Sequence, residues 1–168
     1  MIPIANNEVG SSVRAKLNTI ISLVTEAMVV KTADETRNIY QVEDYDLLVA
    51  VEAGQSYLIE LSIVYNQAGA GDNPSITWIL PNVDSAEWFV EHIGGGAAPE
   101  IAYHIGALLP TEVPTTQVGI NVFKGWLRLS PSEDGYVILV WGKTGAGGAP
   151  TVKAGSWIHL IPSTYAQS

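Results

Sequence analysis

The sequence predicts an all-β protein, an antiparallel β-sandwich of jelly-roll type with a short N-terminal helix. Three observations lead there. Tyr57, Ile59, Leu61, Ile63 and Tyr65 point one way while Glu60 and Ser62 point the other, the period of two that marks a half-buried strand. About ten such apolar runs follow one another at short intervals, separated by Gly- and Pro-rich turns, which suits a sandwich or barrel. Finally, no segment after residue 28 carries a helical period.

Residues 1–10 read as an extended arm, because Pro3 and Asn6-Asn7 favour coil. Ser11 or Ser12 can then cap a helix. Its apolar residues fall at Val13, Leu17, Ile20, Val24 and Ala27, spaced four, three, four and three, which makes a heptad seam. So short a helix is marginal alone in water, so the seam must pack on the β-domain or on copies of itself. The chain divides into an arm and helix for attachment or trimerisation, 1–28, and a sandwich domain, 29–168. The β-branched Val29, Val30 and Thr32 predict a first strand near Ala27 to Thr32.

Leu47, Val49 and Val51 repeat the alternation more weakly, and Glu52-Ala53-Gly54-Gln55 supplies a turn, so 46–51 and 57–65 are expected to pair as a hairpin. Further strands are expected at Ile76–Leu80, Glu87–Ile93, Ile101–Ala107, Val118–Phe123, Trp126–Ser130, Tyr136–Gly142 and Ser156–Ile161. Pro81, Pro110, Pro114, Pro131, Pro150 and Pro162 all fall in turns or at strand ends, where a missing N–H does no harm. Glu91-His92-Ile93-Gly94 is echoed by Tyr103-His104-Ile105-Gly106, as in a hairpin of similar strands.

Composition then removes several function classes. The 168 residues make one domain with a short appendage. Hydrophobic residues reach 47% and charged residues only 15%, so some apolar surface is expected to meet another chain. A net charge of −9 with eight Lys and Arg argues against nucleic acid and against anionic membrane surfaces. The absence of cysteine excludes disulfides and thiolate metal sites. No apolar run approaches the ~18 residues of a membrane span, and MIPIANNEVG does not read as an export signal. Asp34, Glu35, Glu43, Asp44, Asp46, Glu52 and Glu60 lie close together, which reads first as a solvated loop face.

Little in the chain points to catalytic chemistry. Gly142-Lys143-Thr144 lacks the earlier glycine of a phosphate-binding loop, since Val137 stands in its place. The G-x-S-x-G elbow is absent around Ser156. His92, His104 and His159 could ligate a metal only if the fold or a threefold axis gathers them, and a surface or pore-lining role is the commoner case. Glu43, Asp44 and Asp46, or Asp72-Asn73, could offer oxygens to calcium but read as turn formers. Trp78, Trp88, Trp141 and Trp157 sit among aliphatic neighbours, so core or interface packing outranks a sugar-binding platform. No catalytic residue, cofactor or metal site is expected, and a non-enzymatic protein is the reading that remains; a small β-sandwich hydrolase would need an activity the sequence does not specify.

Several stretches together resemble a β-domain of tailed-phage virion proteins, of the minor tail, tail-fibre, head-fibre and capsid-decoration kinds. They are Val29 to Thr36, Leu47 to Tyr57, Ile76-Thr77-Trp78-Ile79-Leu80-Pro81, Leu139-Val140-Trp141 and Thr151 to Leu160. Gly10 to Asn18 is similar to a segment that opens many phage fibre proteins, whereas 82–135 resembles nothing identifiable. The resemblance implies a virion structural role, commonly trimeric, with other virion proteins as partners. Capsid decoration is favoured over the tail because the chain shows neither a fibrous shaft nor a hydrolase motif. Val13, Leu17, Ile20 and Val24 are then the expected oligomerisation or docking residues. The alternative is a carbohydrate-binding receptor-recognition module facing a host glycan with the loops around Asp72 and Asn73 and around Lys143 and Thr144.

Overall fold

The computed structural model describes residues 27–67, 69, 74–94, 100–105, 111–112, 119–143 and 148–163. The expected helix with Val13, Leu17, Ile20 and Val24 lies outside them, as do Asp72, Asn73 and Thr144. Every regular element among the described residues is a strand: β1 Ala27–Val30, β2 Glu35–Thr36, β3 Val42–Val51, β4 Ser56–Gln67, β5 Pro74–Ile79, β6 Val83–Gly94, β7 Glu100–Ile105, β8 Thr111–Glu112, β9 Gly119–Pro131, β10 Gly135–Lys143, β11 Thr151–Val152 and β12 Trp157–Ser163.

The strands form two antiparallel sheets. The larger runs β1-β12-β4-β9-β6-β7, with β11 bridging β4 and β2, and the smaller runs β3-β10-β5-β8. From β3 to β10 the chain changes sheet at every connection except β6 to β7, which is the wrapping of a jelly roll. That wrapping corrects the expected hairpin. The Glu52–Gln55 turn is present, with Gly54 at φ 74° and its N–H donating to Pro131 O at 2.9 Å, but it carries the chain from one sheet to the other. β3 pairs with β10 and β4 with β12 and β9. The strands that carry the echoed histidine segments do pair, as β6–β7, but the segments are offset, with Trp88 opposite His104 and His92 opposite Glu100.

The core lies between the sheets, and the alternation seen in the sequence fills it. Ile59, Leu61, Ile63 and Tyr65 from β4 and Leu47, Val49 and Val51 from β3 are buried there, with Trp78 from β5, Trp88 from β6, Phe123 and Leu127 from β9, and Leu139 and Trp141 from β10. Trp78, Trp88 and Trp141 are thus core residues rather than a sugar platform, while Trp126 and Trp157 are half-buried on the outer side of the large sheet. A second correction concerns β9. The two runs expected at 118–123 and 126–130 are one 13-residue strand that passes through Gly125 without a turn.

Candidate functional site

Polar residues converge at the end of the sandwich where β1 leaves the large sheet. Lys31, one residue past β1, is anchored through its backbone: its N–H donates to Ser156 O and its carbonyl accepts from Gly155 N, both at 2.8 Å. This turns its side chain inward, where it is 1% exposed. The ammonium donates to Glu35 Oε2 at 2.7 Å, to Asp44 Oδ2 at 2.9 Å and to Asp46 Oδ2 at 3.2 Å. Asp44 is equally buried and also accepts from Trp141 Nε1 at 2.7 Å and from Asp46 N at 3.0 Å.

Arg37 completes the cluster. Its Nε donates to Glu35 Oε1 at 2.7 Å and its Nη1 to the carbonyls of Val42 at 2.6 Å and Trp141 at 3.2 Å. The guanidinium lies 4.1 Å from the Trp141 ring centroid, a cation–π contact. Lys31 and β1 belong to the large sheet, and Asp44 and Trp141 to the small one, so the cluster clasps the two layers together. Beside it Lys153 pairs with Asp34, whose carboxyl also accepts from Ala154 N at 2.8 Å.

The electrostatics follow from burial and pairing. Burial pulls the Lys31 ammonium down, but hydrogen bonds to Glu35 and Asp44, the charge of Asp44 and a hydrogen bond to Asp46 more than offset it, so its pKa lies above the ordinary lysine value. Burial pushes the Glu35 carboxyl up, yet hydrogen bonds from Arg37 and Lys31 outweigh it and leave its pKa below the ordinary glutamate value. A raised lysine stabilises the fold fully below its unfolded pKa and loses that contribution as pH rises through the folded value; a depressed carboxylate contributes above its unfolded pKa and loses it as pH falls. The melting temperature is therefore expected to be flat between about pH 5 and about pH 10 and to fall on both sides. Calorimetry across pH, with Glu35→Gln shrinking the acid-side fall, checks this; an unchanged acid limb in that variant would refute it.

The acidic run expected to be a solvated loop face is thus, at Asp44, the wall of a buried ion-pair cluster. Nor do Glu43, Asp44 and Asp46, the trio weighed for calcium and read as turn formers, point their carboxylates to one place. Glu43 contributes its carbonyl, which accepts from Arg37 Nη2 at 3.2 Å, rather than its carboxylate. The oxygens of Glu35, Asp44 and Asp46 do come within 4.8 Å of one another, but the chain's own ammonium sits among them. Sequence reading missed Lys31 and Arg37; the available signal was that the two cations bracket Asp34-Glu35 at the head of the acidic run.

His92 and His159 lie on opposite faces of the large sheet. His92 faces the core, 5% exposed, with Nε2 2.6 Å from Tyr65 Oη and its ring against Phe123. His159 sits on the opposite face of the large sheet, Nδ1 4.0 Å from Glu60 Oε2, so His92 and His159 of one chain cannot share an ion. Lys143 ends β10 and its N–H donates to Ile39 O at 3.1 Å.

The outer face of the large sheet is the other conspicuous surface. Ile93, Ile101 and Ile120 are exposed on it, the last two at 66% and 68%, as are Met28 and Val30 on its β1 edge. Half-buried Val64, Val122, Trp126 and Phe89 lie between them, the last two rings stacked at 6.1 Å. On this face Lys124 and Arg128 offset most of the charge of Glu60, Glu87 and Glu91. Arg128 Nη1 meets Glu87 Oε1 at 3.3 Å, and Lys124 stands opposite Glu91 in register, with Glu60 beyond.

No family model matches the chain, and no curated protein matches it. Among solved structures, the chain is similar to Eiger TNF from S. frugiperda, at TM-score 0.43 and 10% identity over 86% of this chain and 96% of that one. It is similar also to a chain of the infectious bursal disease virus Gx strain structure, at TM-score 0.22 and 13% identity over 83% of this chain and 41% of that one. The chain thus spans about two fifths of the length of the second. Likenesses this distant carry nothing about function.

Proposed function

We propose that this chain is a non-enzymatic structural subunit of a tailed-phage virion, a homotrimer that decorates the capsid or forms a head fibre and docks through residues 1–28. The observation that carries the reading is the outer face of the large sheet. On a chain of net charge −9, two copies repel wherever acids dominate. At the end that carries Lys124 opposite Glu91, away from Arg128 and Glu87, this face instead offsets its acid and exposes Ile93, Ile101 and Ile120, so copies can meet there with little repulsion and with apolar surface to bury.

The Lys31 cluster supports the same reading from the other side. Each of its charged groups is committed to partners within the chain, the arrangement of a clasp rather than of a group poised to act on a substrate. The stretches that resemble phage virion proteins also come together around it: Lys31, Asp34 and Glu35 from the first, Trp141 from the fourth and Lys153 and Ser156 from the last.

Gold-labelled antibody on intact particles of the phage that encodes this chain tests the assignment. Label over the shell is expected; label confined to the tail would move the protein to the fibre, and bare particles would overturn the virion role. Light scattering on the purified chain should give the mass of a trimer, reduced to a monomer by Ile93→Glu with Ile120→Glu. A monomeric mass for the unaltered chain would refute the trimer.

A further inference from the structure

At the end of the large sheet remote from Ile93 and Ile120, serine occupies one cross-strand row on four adjacent strands. Ser163 of β12 stands opposite Ser56 of β4, the Ser56 hydroxyl lies 2.9 Å from that of Ser130 in β9, and Ser130 stands opposite Ser85 of β6. The next outward row brings Arg128 and Glu87 beside them. These residues line a cleft of about 590 Å³, within the range of pockets that hold small ligands.

The chemistry of the cleft narrows its occupant. Serine hydroxyls both donate and accept, and neighbouring strands set them about 4.8 Å apart, so the row offers a repeating series of hydrogen-bonding groups to a molecule laid across the strands. Arg128 is held in place from two sides, by Glu87 at 3.3 Å and by the Trp126 ring, whose centroid is 4.9 Å from the guanidinium carbon. Its charge is answered by Glu87, while its remaining N–H groups stay available. The turns at this end add Glu52, Glu133 and Asp134, and the register shift in β6 adds Asp84, which together disfavour an anion. A ligand with many hydroxyls and no negative charge fits all three conditions.

We infer that this cleft binds a neutral saccharide across the Ser163–Ser56–Ser130–Ser85 row, with Arg128 and Glu87 fixing its orientation. The site is distinct from the loops around Asp72 and Lys143, and it stands independently of the virion reading because the isolated chain suffices to test it. The purified full chain is applied to an array of neutral hexose and N-acetylhexosamine oligosaccharides alongside sialylated glycans, and the strongest neutral binder is titrated by calorimetry.

Saturable binding to a neutral glycan is expected, weakened about tenfold by Ser130→Ala and by Ser85→Ala, the loss of roughly one hydrogen bond each. Tyr136→Ala, on the small sheet, should leave it unchanged. Ser85 is exposed, so its variant keeps the test valid even if Ser130→Ala perturbs folding. Silence across the neutral glycans, binding confined to sialylated ones, or affinity indifferent to both serine variants would overturn the inference.

Discussion

Asp44→Ala is expected to cost the fold about 3–5 kcal/mol, the toll of breaking a buried ion pair from one side. The carboxylate answers the Lys31 ammonium, the Trp141 indole N–H and the Asp46 backbone N–H. Removing it leaves an ammonium that is 1% exposed with only Glu35 and Asp46 to meet it, and strands the indole in the core. Because Lys31 enters from the large sheet and Asp44 and Trp141 belong to the small one, the loss should appear in global unfolding and not as local fraying. Adding Lys31→Met is expected to recover part of it, since an apolar pair in place of buried charges comes closer to neutral. Urea unfolding of the single and double variants measures both effects. A loss below about 1 kcal/mol would mean that the cluster behaves like an exposed ion pair.

This cluster also marks where the sequence stopped being legible. The alternation at Tyr57 to Tyr65 and at Leu47 to Val51 correctly identified the buried faces, because side-chain period is a local property of a strand. It said nothing about partners. The Glu52–Gln55 turn looked like a hairpin turn and instead joins two layers, a choice made by the jelly-roll wrapping of residues far along the chain. Lys31 was hidden for the same reason. Its burial depends on Asp44, 13 residues away, and on Ser156 and Trp141 at the far end of the chain. A run of acids therefore read as a solvated loop until the fold supplied the cation. The serine row is the extreme case: Ser56, Ser85, Ser130 and Ser163 are far apart in sequence, and only the order β12-β4-β9-β6 aligns them.

Gly125→Ala is expected to destabilise the protein by about 3 kcal/mol or more, although it adds one methyl to a strand. An ideal Cβ at this position would stand 2.0 Å from the carbonyl oxygen of Phe89 and 2.9 Å from the Cα of Val90. Both are backbone atoms of β6, so no side-chain rotation can relieve the contact, and β9 would have to move away from β6. The register makes that movement expensive. β9 pairs with β6 on one side and with β4 on the other over most of its length, and core residues surround the glycine, Phe123 and Leu127 along β9 and Val90 and Leu61 across from it. Alanine has better strand-forming backbone entropy than glycine, so propensity alone predicts a small gain. Here the steric effect should decide the sign. Gly54→Ala probes a different cause, since nothing lies within 4 Å of its added Cβ and only its φ of +74° resists the change. Chemical denaturation of both variants separates close approach from backbone conformation: the larger loss should fall at Gly125, and a loss at Gly125 no greater than that at Gly54 would refute the steric account.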